Sequence, residues 1–463
     1  MNNIEYVFND KNNNQIYRSR AIKDVLTKFR NQLKLSNLGI SFLLQNGVTP
    51  APNTIFKDLY IEGFGIKVNN FSTDKEKLEY ESNFPVQIGG KNKPDEEKIL
   101  ELIKDSAEKQ FEKKDSFLFH SAGKDSNMIA LALAKSDFKD NITFITQSYS
   151  GISQLDESTI SKDVAKKLGF NHLIIPDNIL FEENDLNNFF YEQPFPCLDN
   201  MSLVYSNYSE AIGLNKNIID GMGNDIYLGH MSGYKEFLNQ FLFSKINFLR
   251  DFLNFPTISF RNFKLKTRSE FTGFYGFSEK DSKKIFKDFI DVNYFWRDID
   301  NLNKNTNFEL LRSKTRGIFL DNEMFIRKVR NFCDAHNHNL VLPFYSKNLV
   351  EYMTSLDKKY LYNSFLRKNK IIFRNILKDK LNLNYDLIKK RSLEYNFDNF
   401  IFNQRDLIEG MISQCSLFDA KFILDNLYKN LKHKKYSNVI KFLIIRLYLL
   451  TGWLNKSKYI NRN

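Results

Sequence analysis

Cysteine, proline and tryptophan are scarce: 463 residues hold three, nine and two of them. Cys197, Cys333 and Cys415 stand far apart, so no disulfide framework is implied and a reducing, cytoplasmic setting is expected. The opening MNNIEYVFND lacks a basic segment followed by an apolar run, so no secretory signal is read there. Long apolar runs are missing too. The most apolar stretch, Val439–Leu454, is broken by Lys441 and Arg446. A membrane span needs about 20 apolar residues, so a buried terminal helix is predicted and no membrane partner.

What is present is ordinary globular composition, 42% apolar and 26% charged, which excludes a disordered chain. Phe (44) and Tyr (22) are abundant, a bias that reads as an AT-rich coding sequence. The net charge is +12. Such a balance suits nucleic acid, a membrane surface or an anionic small molecule. The basic clusters Lys162–Lys167, Lys389–Arg391 and Lys432–Lys435 are short and read as solvated faces, so nucleic acid is not expected.

The polar segment Lys91–Lys98, with Pro94, marks a boundary between residues 1–95 and 96–463. The first part reads as small and mixed, with an early helix over Ala21–Leu33. After it, strands and helices alternate at short spacing. Helix 96–113 leads to strand Phe117–His120, then a glycine-containing turn and a helix over Met128–Ala134. Strand Ile142–Thr146, helix Asp156–Leu168, strand His172–Ile175, helix Ser202–Ile212 and strand Asn217–Asp220 follow. This order predicts an α/β class, a doubly wound parallel sheet over about 96–235. Residues 236–463 read as helical and rich in Phe.

The turn is Ser121-Ala122-Gly123-Lys124-Asp125-Ser126. It lies after a buried strand and before a helix, where a phosphate loop belongs. Gly123 lets backbone amides approach an anion, the helix start adds its dipole, and Ser121 and Ser126 offer hydroxyls. Asp125 cannot serve an anion directly, but it suits Mg²⁺ that bridges phosphates. The plainer reading is a Ser/Gly turn with Asp125 as a helix cap. A second turn, Asp220-Gly221-Met222-Gly223-Asn224-Asp225, also follows a strand, with Gly229, His230, Gly233 and Tyr234 beyond it. Loops at the carboxyl ends of parallel strands converge, so Asp225 is expected to face Asp125 across one metal–triphosphate site.

Ser121–Ser126 resembles the SGGxDS pyrophosphate loop of the N-type ATP pyrophosphatases, in particular asparagine synthetases and their β-lactam synthetase relatives. Further segments resemble that family in the same order. They are Asp156-Glu-Ser158 with Val164–Gly169 and His172, Gly221–Asp225 with Gly233-Tyr234, Lys370–Arg374, and the terminal Ile440–Trp453. The resemblance covers about residues 100–455. Phe42–Gly63 resembles the segment by which the family's glutaminase domain leads into the synthetase half, so residues 1–95 read as a reduced, non-catalytic remnant of it. An N-terminal Cys nucleophile is the family's glutamine-cleaving group. Residue 2 is Asn2 and the first cysteine is Cys197, so ammonia release from glutamine is not expected here.

The resemblance implies an adenine-nucleotide α hydrolase-like domain. It implies ATP and Mg²⁺, a carboxylate that is adenylated with release of pyrophosphate, and an amine or ammonia that displaces AMP. A separate glutaminase subunit is a possible donor. The implied nucleotide contacts are Phe119, Ser121, Ala122, Gly123, Lys124, Asp125, Ser126, Gln147, Asp220 and Gly221. Asp125 and Asp225 are the implied metal ligands. Lys370, Lys390 and Arg391 are the candidates for stabilising charge on the reacting groups. Ala122 departs from the family's glycine, and Met222 and Ile226 replace its acids. Leu342–Tyr345 keeps only part of its E-R-P-F-L-D segment. The acceptor half is thus altered. Two rival readings are a tRNA-modifying pyrophosphatase, which would use the +12 charge, and a non-catalytic relative.

Weaker signals read as structural. Cys333-x-x-His336-x-His338 offers three ligands where zinc wants four. His120 precedes the loop and reads either as lining the site or as a satisfied core histidine, Cys197 reads as a buried small residue, and Phe241–Phe255 and Phe271–Phe277 as packing.

Overall fold

The computed structural model describes residues 4–63, 65–71, 79–82, 90–148, 157–176, 183–205, 208–234, 237–238, 267–388, 397–427 and 438–460. Three strands, β1 (Glu5–Asp10), β2 (Gln15–Ser19) and β3 (Leu59–Glu62), form an antiparallel sheet in the order β2-β1-β3. Helix α1 (Ile22–Lys28) is shorter than the 21–33 predicted, and the chain turns after Phe29. Helix α2 (Asn37–Asn46) begins where Ser36 accepts a bond from the Gly39 amide, an N-cap worth about 1 kcal/mol. A short antiparallel pair, β4 (Ile66–Asn70) and β5 (Glu79–Ser82), completes this part.

The central sheet has five parallel strands in the order β10-β9-β6-β7-β8. They are β6 (Ser116–Phe119), β7 (Ile142–Gln147), β8 (Asn171–Ile175), β9 (Asn217–Ile219) and β10 (Asn339–Val341). The side chains alternate between two layers. Leu118, paired with Phe144 and Ile219, packs into the main core with α4 (Lys124–Leu133) and α5 (Glu157–Leu168). Ile145 and Ile218 face the other way, onto Ile212, Val329 and Phe332. Helices therefore cover both faces, as expected of a doubly wound sheet.

The structure differs from the sequence reading at several ends. The helix predicted over 96–113 is α3 (Glu96–Glu108), capped by Asp95, which accepts from the Lys98 amide at 3.1 Å. The helix predicted from Met128 starts at Lys124, directly after Gly123. The helix predicted over 202–212 is helical over Ser202–Tyr205 and Tyr208–Ile212, and residues 206–207 lie outside the described residues. Strand β10 was not foreseen. It is three residues long and stops at Leu342-Pro343, too short for a periodic signal.

Phe308–Thr315, Arg316–Ile326 and Arg327–His336 follow one another without a break, and the middle stretch is π-helical. Asn438–Lys456 forms the terminal helix, in place of the predicted 439–454. Its Arg446 is buried, donates to the Tyr275 carbonyl and lies over the Phe442 ring. No described helix is long and apolar enough to cross a membrane. The N-terminal part shares the main core: Phe42 meets Phe295 at 5.3 Å and Phe56 meets Trp453 at 5.9 Å between ring centres. Each such buried aromatic contributes about 1.5–3 kcal/mol. Phe274 and Phe277 are core residues, while Phe241–Phe255, Lys432–Lys435, Asp156, Lys390 and Arg391 lie outside the described residues.

Candidate active site

Ser121–Ser126 runs from the carboxyl end of β6 into the first turn of α4. The loop is held by its own side chains. The Ser126 hydroxyl donates to the Ser121 carbonyl at 3.0 Å and accepts from the Ser121 amide at 3.2 Å. The Ser121 hydroxyl accepts from the Gly123 amide at 3.1 Å. Asn127 ties the loop to its surroundings, donating to the Gly123 carbonyl at 2.7 Å and meeting the Tyr385 hydroxyl at 3.1 Å. Glu157, at the start of α5, accepts from the Ala122 amide at 3.2 Å. One loop amide is thus satisfied by a carboxylate of the chain itself. The buried Ala122 methyl shows that the position tolerates a side chain.

The second loop, 220–225, leaves β9 beside it. Gly221 lies so close to α4 that a Cβ there would stand 3.2 Å from the Asp125 Cβ and 3.4 Å from the Ser126 amide nitrogen. Only glycine permits this approach without a shift. It brings Asn224 to Asp125, donating to Oδ1 at 2.6 Å.

Lys370 joins the two loops. Its Nζ lies 2.6 Å from Asp125 Oδ2, 2.7 Å from Asp225 Oδ1 and 2.8 Å from Asn224 Oδ1. The residue is 4% exposed and sits in the left-handed region, φ +55°, just before helix Ile371–Leu381. Burial opposes its charge, yet the Asp125 and Asp225 carboxylates outweigh burial and hold Lys370 above the ordinary lysine range. Burial likewise pushes Asp225 up, and Lys370, with Arg316 and Lys124, overcomes it and holds the carboxyl below its usual range. The two acids read as metal ligands therefore share an ammonium. Sequence spacing places these groups in one crevice but does not show that pairing.

On the far side of Asp225 stand His230, Arg316 and Asp321. Arg316 Nε donates to His230 Nε2 at 2.6 Å. Burial, then Arg316, hold His230 well below the usual range, so the ring is neutral at physiological pH. Burial raises the Asp321 carboxyl to about 7, against the pull of Arg316. Nothing local in the sequence marked Arg316 or Asp321: both lie on a helix some ninety residues beyond the second loop. Tyr345 supports this wall, donating to Asn322 at 2.9 Å, with its ring against Gly223.

Phe119 points to the other face of the sheet, its ring 5.1 Å from Tyr205 and 5.0 Å from Tyr208. Gln147, two residues beyond the Ile145 that pairs with Phe119, is 3% exposed. Neither of its amide atoms has a hydrogen-bond partner among the described residues. Lys124 lies over the Tyr385 ring at 5.4 Å. Asp220 accepts from the Met222 amide at 2.9 Å. Burial raises the Asp220 carboxyl to about 6, with Lys328 opposing. The folded-state value exceeds the unfolded one, so this group's stabilising contribution is complete at low pH and is lost as pH rises to about 6. Asp220→Asn is therefore expected to stabilise the protein at pH 8 and not at pH 4, by denaturant unfolding. Equal effects at the two pH values would contradict this.

The residues of the weaker signals are placed as follows. His120 bonds Ser161 at 2.6 Å and stacks on Phe144. Cys333, His336 and His338 form no metal-ligand group among the described residues. Cys197 is buried, its thiol donates to the Met324 carbonyl at 3.2 Å, and burial, then Asp199, push it up to about 11. It should resist iodoacetamide in the native state at pH 8 and react only on unfolding, as mass spectrometry would show. No protein-family model and no curated protein matches this chain.

Proposed function

We propose that this chain is an ATP-dependent amide-forming ligase. A substrate carboxylate attacks the α-phosphate of ATP, pyrophosphate leaves, and ammonia or an amine displaces AMP. The observation that carries this reading is the meeting of the 121–126 loop, the 220–225 loop and Lys370 at the carboxyl end of the parallel sheet. The order of the motifs supports kinship with asparagine and β-lactam synthetases and an adenine-nucleotide α hydrolase-like domain. The altered residues Met222 and Ile226 favour an acid other than aspartate. A separate glutaminase as nitrogen donor and a cytoplasmic location belong to the same proposal.

The residues fit the substrate. The amides of Asp125 and Ser126 open α4 with no acceptor among the described residues, and Ser121 lies beside them. Gly221 keeps the floor of the crevice free of side chain. Gln147, on the same side of the sheet as Phe119, has an amide donor and acceptor without a partner among the described residues, of the kind a nucleobase edge would satisfy. Asp125 and Asp225 would hold Mg²⁺, which when bound neutralises phosphate charge. Lys370 would then turn from the carboxylates toward the phosphates and stabilise the charge that develops on them.

The test is exchange of labelled pyrophosphate into ATP with a pool of protein amino acids and small dicarboxylic acids. Asp125→Asn is expected to lower exchange by about 100-fold. Exchange at the wild-type rate in this variant would overturn the reading.

A further inference from the structure

A chain of polar groups runs inward from the edge of the sheet to the 121–126 loop. His172, on the edge strand β8, is half-buried. Its Nε2 lies 3.0 Å from Thr146 Oγ1 and 3.1 Å from Ser161 Oγ. Ser161, on α5, meets Thr146 at 2.6 Å and His120 Nδ1 at 2.6 Å. The protons of this chain can be assigned one by one. Thr146 spends its single O–H on the His120 carbonyl at 2.9 Å, so toward Ser161 and His172 it only accepts. Burial, then His172, push His120 down to about 3, so its ring is neutral and carries one N–H. His120 Nε2 and Asn127 Oδ1 face each other, both buried and without another partner among the described residues. A proton on Nε2 satisfies both atoms and leaves Nδ1 to accept from the Ser161 hydroxyl. His172 then gives its Nε2–H to Thr146 and Ser161. The other tautomer would leave the Asn127 oxygen without a donor.

Asn127 carries this order into the loop. Its NH2 group donates to the carbonyls of Ser121 at 3.1 Å and Gly123 at 2.7 Å. Those carbonyls must turn away if the loop is to offer N–H groups to an anion. A flipped amide would set Oδ1 against both carbonyl oxygens. We propose that His120 is a positioning residue for triphosphate binding: its Nε2–H fixes the Asn127 amide, and Asn127 holds the loop carbonyls away from the phosphates. This rests on the ATP-dependent reading above. The glycine-containing loop alone leaves the direction of its carbonyls open, and the buried histidine before it selects one.

Two measurements test this. Nitrogen-15 NMR of histidine-labelled wild type, its six histidines sorted by the signal lost in His120→Gln, should show the Nε2–H tautomer at His120. The Nδ1–H tautomer would overturn the proposal. Calorimetric titration with Mg·ATP then compares two variants. The asparagine of His120→Asn reaches only as far as Nδ1, so it should weaken binding by about 10-fold, as for loss of one hydrogen bond. The glutamine of His120→Gln places an N–H near Nε2 and should bind as wild type does. In an Asn127→Ala background His120→Asn should change little, because no amide remains to be oriented. A merely structural role would lower the unfolding stability of both His120 variants and leave the affinity of the folded protein unchanged; that result, or equal weakening in the two variants, would overturn the proposal. If the wild type itself binds no Mg·ATP, the ligase reading falls and takes the proposal with it.

Discussion

Lys370→Met is expected to cost about 3–5 kcal/mol of folding free energy, because it leaves the Asp125 and Asp225 carboxylates facing each other without their shared ammonium. Replacing a whole buried ion pair by apolar groups is often neutral, but here one partner is removed and two like charges remain. Magnesium chloride should return much of the loss in the variant and little in the wild type, since a divalent cation can take the place of Nζ between the carboxylates. Denaturant unfolding of both proteins, with and without magnesium, measures this directly. A variant as stable as wild type without magnesium would contradict the pairing. Pyrophosphate exchange should fall in the variant even where magnesium restores the fold, because the phosphates would lose a cation.

Gly223→Ala should be nearly as damaging for a different reason. A Cβ at this position would lie 2.0 Å from Cε2 of Tyr345, and the backbone has φ +104°, which L side chains rarely adopt. Overpacking and backbone strain together should cost about 3 kcal/mol. The loop that moves to relieve the clash carries Asn224 and Asp225, so pyrophosphate exchange should drop along with stability. Tyr345→Leu, added to Gly223→Ala, separates the two causes. It removes the ring but not the positive φ, so part of the stability should return, and the excess over additivity measures the clash. A double variant no more stable than Gly223→Ala would place the whole cost in the backbone.

The parallel sheet and the two loops were legible in the sequence because they depend on short-range signals. Phe117–Phe119, Ile142–Thr146 and Asn217–Ile219 are apolar runs bounded by turn residues, and Gly123 and Gly221 stand where each strand gives way to a loop. Asp125 and Asp225 could be placed in one crevice by topology alone. The remainder depends on long-range packing. Strand β10 is defined by its pairing with β9 and not by three residues of pattern. Glu157 bonds the Ala122 amide across 35 positions, and Lys370 reaches Asp125 across 245. Arg316 and Asp321 occupy a helix whose apolar pattern announces packing and nothing more. Their role comes from the neighbour they are brought against.

The helix between Arg316 and Ile326 sets a spacing as well as a direction. In an α-helix, residues five apart are separated by about 1.4 turns, which would splay Arg316 and Asp321 to roughly 140° from each other. The wider π winding brings positions i and i+5 into line along one side. Asn322 reinforces that winding from within, its side-chain amide donating to the Gly317 carbonyl at 2.9 Å and the Ile318 carbonyl at 3.0 Å. The chain thereby spends one surplus residue per turn to align a cation and an acid that ordinary helical phasing would keep apart. Excising a single residue from this stretch would leave the composition of the crevice almost untouched, yet it would rephase everything on one side of the cut. Length, more than side-chain identity, is what this wall of the crevice cannot change.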